Sequence, residues 1–527
     1  MNLPPSPSDT AKIRSAAHRY TLPICVAVAA FTAIVPFFRA FFPMQLEYNE
    51  GWNVNNAAMV AHHHLLYPVR YGWTTVNYPM LSFSLVAALH RITGDYLFTA
   101  RTLSLFGLIA SSFLVAGIVR ALHGSKRAAI LAGLLCFAVF CADASMYVGI
   151  DDPQMFAQAI YLLGLLVYVR NRRSRSSLAL AAFIFVLGGF AKHNLIDIPL
   201  AVLIDLICIS LPNALWFSVW GLLCIAAGIA LNGHFGGPYF LSQLTTERGY
   251  SLSQIADQFL TVWGPLIPLV ACAIYTAIKV ARNANRRIAV ILLLATTLIG
   301  GYFSGGVGVS INALFSSLLA IVILVGLFFD KLEKINQYAA ASSFQQLAPR
   351  YAPACIFPLL LIPMIVSGNC CPLAMIHKTI EQQREFDHAV AYLRSQSGPA
   401  LCENILLCFD AQKPYIYDPF NATRLINERT LDASPLLAQL EQHSIAAVQL
   451  DQLVDRCDSC RDRFAPEVLA SLRRNYAPTL QLEDAVIYTP KKQPVEYEGS
   501  LVAISNRHRP FSSGVSPATS QVSAGFP

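Results

Sequence analysis

Charge is what this chain has least of. Only 13% of its 527 residues are Asp, Glu, Lys or Arg, against about a quarter in a water-soluble domain. That deficit excludes an ordinary soluble enzyme, because 55% of the residues are hydrophobic and the mean hydropathy is +0.49. A cleavable leader is not expected either, since the apolar stretch Leu22 to Phe42 is long and runs on into "RAFFPM" with no small-residue cleavage site. No internal repeat is visible, although the halves of transporters often show one. The net charge of +7 does not call for nucleic acid, because in a membrane chain basic residues mainly set orientation.

What is present is a series of apolar runs. They predict a mainly α, polytopic helical bundle of about eleven spans, near 22–42, 102–122, 128–146, 155–169, 178–191, 195–211, 214–231, 258–279, 288–304, 312–329 and 352–367. With residues 1–21 in the cytoplasm, the basic clusters Arg120/Lys126/Arg127, Arg170/Arg172/Arg173/Arg175, Lys279/Arg282/Arg286/Arg287 and Lys331/Lys334 all fall on the inner side. The same parity makes "MLSFSLVAALHRI", residues 80–92, an outer interfacial helix ended by Gly94 rather than a span.

The spans make a membrane domain over 22–369 and leave the C-terminus outside. Beyond it, "ALCENILLC", "PYIYDPF", "IAAVQLD" and "DAVIYTP" read as strands, and "DASPLLAQLEQH" and "RFAPEVLASLRRNY" as helices. They predict a small α/β domain over 370–490, followed by a Pro-, Ser- and Gly-rich tail, 491–527, expected to be disordered. Six of the 13 cysteines (370, 371, 402, 408, 457 and 460) fall in this exported part, where an oxidising compartment permits disulfides. The lone Cys457-Asp-Ser-Cys460 fits a disulfide better than zinc, which wants a second pair.

On this topology the outer loops gather acids and cations. Glu47 and Glu50 follow the first span; Asp151 and Asp152 of "YVGIDDPQM" open the fourth. Lys192, His193 and Asp197 lie in "GFAKHNLID"; Glu247, Arg248 and Tyr250 in "LTTERGYSL"; Asn312 ends the glycine-rich "GGVGVSIN". Each has a plainer reading. Acids at the start of a helix favour its N-terminal dipole, Asp before Pro is an ordinary helix start, and a lysine near a span end can snorkel. Three consecutive histidines, His62 to His64, point about 100° apart on a helix and cannot converge on one metal.

The order of these elements resembles the GT-C superfamily of membrane glycosyltransferases. The sequence runs from a first span to an acid in a long outer loop, then an "LYP…NYP" segment, two spans around a basic turn, an acidic-Pro entry and a Lys-bearing turn. The likeness is greatest to the protein O-mannosyltransferase, aminoarabinose transferase and rhizobial lipopolysaccharide sugar transferase branch, over residues 22–370. It implies an inverting transfer of a sugar from a polyprenyl-phosphate donor to an acceptor hydroxyl, on the outer side of the cytoplasmic membrane. The partners implied are that lipid-linked donor, an acceptor glycan, lipid or protein, and membrane lipids; no cofactor or metal is expected. Glu50 is the preferred base, with Glu47 as helper and Asp152 and Asp151 orienting substrate, while Lys192, Arg248, Arg101 and His193 would meet the donor phosphate. The alternative is a transporter or flippase, which would place ionisable residues within spans, and Asp205 is its best argument.

Overall fold

The computed structural model describes residues 7–246, 249–338, 351–366, 368, 370–456 and 462–491. Among the described residues five helices are long and apolar enough to cross a membrane: α1 (Pro7–Arg39, apolar from Tyr20), α4 (Tyr96–Ala121), α9 (Leu211–Gly236), α13 (Arg287–Ser304) and α14 (Phe315–Tyr338, continuous with the turn from Ile311). Among them run α2 (Asn49–Ala61), α3 (Leu81–Thr93), α5 (Lys126–Ala142), α6 (Gln154–Arg170), α7 (Arg175–Ala191), α8 (Asp197–Ile209) and α10 (Phe240–Leu244). Helix α14 is the axis of the bundle, and Leu318 to Val325 is a buried run within it. Helix α9 lies at the periphery, with Leu215, Val219, Leu222 and Leu223 all more than half exposed. A helix that exposes apolar side chains in this way needs an apolar surrounding.

The expected single span over 258–279 is two helices, α11 (Leu252–Trp263) and α12 (Ile267–Val280), bent by 93° at their junction. Gly264-Pro265 explains the break: proline has no N–H to donate and its ring clashes with the preceding turn. Helix α3 has 13 residues, too few to cross a bilayer, and ends at Gly94 in the left-handed region with φ 78°.

Beyond α15 (Tyr351–Val366) and α16 (Pro372–Ser395) comes a four-stranded sheet in the order β1-β2-β4-β3. Strands β1 (Ala400–Cys402) and β2 (Ala447–Leu450) pair in parallel, while β4 (Val486–Pro490) runs antiparallel to both β2 and β3 (Tyr476–Gln481). Every residue of β2 is buried, as a parallel strand covered on both faces requires. The β3–β4 register shifts beside Pro478, which cannot donate to the ladder. Helices α17 (Ile405–Asp410), α18 (Pro419–Asn427), α19 (Ser434–Glu441) and α20 (Pro466–Asn475) complete this region.

Two expectations change here. "PYIYDPF" forms no strand, because Asp418 caps α18 by accepting the Asn421 N–H at 3.0 Å. "ALCENILLC" is strand then helix, since Asn404 caps α17 and the Cys402–Cys408 disulfide joins the two elements. The Cys457–Cys460 pair and residues 492–527 lie outside the described residues.

Helix α17 packs directly on α2. A Cβ at Gly51 would meet the Leu406 nitrogen at 2.3 Å, so only glycine allows the two backbones to come this close. Residues to Pro490 form one compact unit with the bundle.

Candidate functional site

The first two acids of the sequence have opposite surroundings. Glu50 is fully buried and takes the Arg101 guanidinium through two bonds of 2.7 Å. It also accepts the backbone N–H groups of Leu46 at 2.5 Å and Asp151 at 2.9 Å. Arg101 spends its remaining donors on the carbonyls of Ala40, Phe42 and Met44. The pair is a buried knot that ties the end of α1 to α4 and to the entry of α6. These contacts bear on two expectations, Glu50 as base and Arg101 as phosphate ligand. Glu50 has no free lone pair for an acceptor proton, and Arg101 has no donor to spare for a phosphate. Neither lines the large cavity beside them.

That cavity, about 550 Å³, is walled by Glu47, Tyr78, Lys192, His193, Asp418 and Arg463, with Trp52, Tyr250, Tyr302 and Asn312 between them. Glu47 accepts one close donor, the Asn49 N–H at 2.7 Å. Burial pushes its carboxyl up to about 7, and the charges of Asp152 and Glu50 add to the shift, while Asn49 and Arg463 work against it. A carboxylate of this kind holds or takes a proton near neutrality.

Lys192, at the C-terminal end of α7, is 2% exposed. Its Nζ meets both oxygens of Asp152, at 3.0 and 3.1 Å, and donates to the Tyr78 hydroxyl at 2.6 Å. Burial pulls its pKa down, but Asp152 and Tyr78 outweigh that and hold it raised. Asp152 also accepts the Gln154 N–H at 2.7 Å, so one carboxylate opens α6 and anchors the lysine. Asp151 faces away, into a small pocket beside Ser82 and Ser104; burial, first, and the neighbouring acids hold its carboxyl well above the usual range. His193 lies on the cavity wall, its ring 5.9 Å from that of Tyr78. Arg248 and Glu247 lie outside the described residues.

Sequence reasoning missed Tyr78, Asp418 and Arg463. Tyr78 belongs to the "NYP" segment, where the buried Tyr67 hydroxyl donates to the Tyr78 carbonyl at 2.7 Å and fixes its place. Asp418 accepts the Trp52 indole at 3.0 Å and Asn421 Nδ2 at 2.6 Å, which ties the C-terminal region to α2. Its Asp-Pro signature is the one that marked Asp152, and could have been weighed in the same way. Arg463 lies over the Tyr48 ring, 3.6 Å from its centre; no local pattern announced it. Gly308, at φ +78°, lets the glycine-rich turn approach Phe420, which a Cβ would meet at 2.4 Å.

At the level of sequence, no protein-family profile and no curated protein matches the chain. Solved structures do. ArnT, the aminoarabinose transferase of Cupriavidus metallidurans, bound to undecaprenyl phosphate, superposes with a TM-score of 0.61 at 14% identity. The match covers 89% of this chain and 97% of that one. The fold is the GT-C fold. An oligosaccharyltransferase of Archaeoglobus fulgidus, tethered with an acceptor peptide, shares it with a TM-score of 0.50 at 11% identity, over 90% of this chain and 75% of that one. Among the described residues, no three His, Cys, Asp or Glu side chains group as metal ligands.

Proposed function

We propose that this GT-C-fold chain is a membrane glycosyltransferase that moves a sugar from a polyprenyl phosphate to an acceptor hydroxyl, with inversion, on the outer side of the cytoplasmic membrane. The observation that carries the proposal is the cavity itself, which brings a carboxylate titrating near 7, Glu47, together with a buried lysine, Lys192, beside helices apolar enough to hold a lipid tail. The fold shared with a protein bound to undecaprenyl phosphate supports the same donor class. The Cys402–Cys408 disulfide supports an oxidising compartment for the cavity side.

In this reading Glu47, not Glu50, is the base. It takes the proton of the acceptor hydroxyl as that oxygen attacks the anomeric carbon. The bond from that carbon to the phosphate oxygen breaks, and its electron pair leaves with the polyprenyl phosphate. The departing oxygens need charge stabilisation rather than a proton, which Lys192 supplies by exchanging its Tyr78 hydroxyl contact for a phosphate oxygen, with His193 beside it. Asp152 is a positioning residue that holds Lys192, and Asp151 serves the fold. No cofactor is assigned a step.

The transporter alternative loses its main argument. Asp205 accepts the Tyr168 hydroxyl at 2.6 Å and pairs with Arg172 and Arg287, so it is a structural tie between helices.

The test is purified protein in proteoliposomes with undecaprenyl-phosphate sugars and an envelope extract as acceptor source. Release of free undecaprenyl phosphate with glycosylated product is expected. Movement of intact lipid-linked sugar across the bilayer without product would overturn the proposal.

A further inference from the structure

A second cleft lies outside the cavity described above. It has a volume of about 260 Å³ and runs between the end of α1, residues 44–46 and α16. Its floor is the segment whose Met44 carbonyl accepts Arg101 and whose Leu46 N–H reaches Glu50. Glu47 is the next residue along. The cleft thus backs onto the loop that presents Glu47 to the reaction cavity, and nothing in the proposed chemistry uses it.

Its charges are unusual in kind. Arg39 and Arg101 lie close to one carboxylate, Glu50, and Arg101 takes that carboxylate entirely. Arg39 donates to the Ser145 carbonyl, its Nε has no hydrogen-bond partner, and among the described residues no carboxylate pairs with it. A half-buried guanidinium without a counter-ion is costly unless an anion completes it. Lys378, on α16, adds a second cation to the lining.

Glu385, two turns along the same helix from Lys378, and Asp484 also line the cleft. Each accepts a neutral donor, the Glu483 N–H at 3.0 Å and the Gln382 amide at 2.9 Å, and among the described residues neither pairs with a cation. The rest of the lining mixes apolar side chains, Val35, Met44, Leu46, Met375 and Phe386, with the polar Gln45, Thr379, Gln382 and Asn404. The helix ends that form the cleft expose large apolar side chains, Phe41 just past α1 at 62% and Leu373 at the start of α16 at 71%. A membrane chain carries such side chains where it meets lipid.

We infer that this cleft binds the head group of a phospholipid carrying both a phosphate and a free amine, the phosphate on Arg39 and Lys378 and the amine toward Glu385 and Asp484. The volume suits a head group and falls short of the roughly 300–1,000 Å³ of a pocket that encloses a whole small molecule. The bound lipid braces the loop of Glu47 from behind and links α1 to the C-terminal region. The inference rests on the chain being embedded in a membrane, not on its reaction.

Lipid retention tests it without any transfer assay. The full chain is reconstituted in nanodiscs of phosphatidylcholine doped equally with phosphatidylethanolamine and phosphatidylglycerol, released, and its bound lipid weighed by native mass spectrometry. Wild type is expected to retain phosphatidylethanolamine at least tenfold over phosphatidylcholine. Lys378→Ala, an exposed position that threatens no core, should lose most of that retention. Glu385→Gln with Asp484→Asn should keep phosphate-bearing lipid but lose the preference for phosphatidylethanolamine over phosphatidylglycerol. Equal retention of all three lipids by wild type, or a preference that survives all three substitutions, overturns the site. A transferase that fails its own assay yet retains phosphatidylethanolamine would separate the two readings.

Discussion

Asp205 at one end of the bundle and Glu47 at the other are both carboxylates held out of bulk water by the same set of helices, yet their surroundings have opposite logic. Around Asp205 every oxygen is taken: Tyr168 and Arg172 on one, Arg287 through two nitrogens on the other. Asp330, which pairs with Arg286 next to Arg287, repeats the pattern with Ser125 and Lys334. Arg172 and Arg286 also bridge to loop carbonyls at Ala284, Asn285, Leu122 and His123. At the other end, α6 and α7 bring Asp152 and Lys192 together, and Glu47 is left facing a cavity with one close donor. Burial alone therefore does not mark a reactive group. A carboxylate saturated by cations is a fastener, while one that is buried, undersupplied with donors and open to a cavity can exchange a proton. Glu50 shows that both kinds can sit three residues apart.

The largest effect should come from exchanging the roles across that comparison. Glu47→Gln is expected to lower transfer about 10²–10⁴-fold with little change in thermal midpoint, because its side chain accepts only weak support from the fold. Glu50→Gln should do the reverse. Removing one partner of a buried pair costs about 3–5 kcal/mol, so the variant should lose most of its monodisperse yield. Replacing the pair together, Glu50→Leu with Arg101→Leu, should recover part of that stability. Turnover per mole of folded protein, set beside the thermal midpoint, separates the two outcomes; a Glu50→Gln protein that folds normally but cannot transfer would return the base to Glu50.

The pH profile comes next in size. A base works when deprotonated, so kcat/KM should fall about tenfold per unit as pH drops below about 7 and level off above it, following Glu47. Asp152 is among the charges that raise Glu47. Asp152→Asn should therefore move the inflection to lower pH, whatever it does to the height of the curve through Lys192. An inflection that stays in place would mean that another group titrates.

Much of this was legible beforehand. Apolar runs placed most of the helices, and two of the basic clusters, at Arg172 and at Arg286 and Arg287, come together in the structure around Asp205 and Asp330. Asp-Pro and the unusual lysine announced Asp152 and Lys192. What the residues could not reveal was which acid of "EYNE" is satisfied, since that depends on Arg101, a contact fifty-one residues distant. Arg463 was invisible for a related reason: it reaches Tyr48 only because α17 docks on α2 at Gly51. The broken helix at Gly264-Pro265 was readable and was outweighed by hydropathy.

The smallest effect tests whether the far end is as inert as its saturation implies. Lys334 is half exposed and pairs with Asp330 four residues before it at 2.9 Å, a helix-surface contact. Such pairs contribute roughly 0.3–0.5 kcal/mol. Arg286 is largely buried, joins Asp330 at 2.8 Å and holds the Leu122 and His123 carbonyls as well. Lys334→Ala should shift the thermal midpoint barely beyond error and become harder to detect as salt is raised. Arg286→Ala should cost several-fold more, because it leaves Asp330 and two carbonyls unsupported. Neither should alter the rate per folded molecule. If Arg286→Ala slowed transfer without lowering the midpoint, the two ends would be coupled through α13, which begins at Arg287 and carries Tyr302 and Phe303 to the cavity wall, and the division between fastening and reacting carboxylates would have to be redrawn.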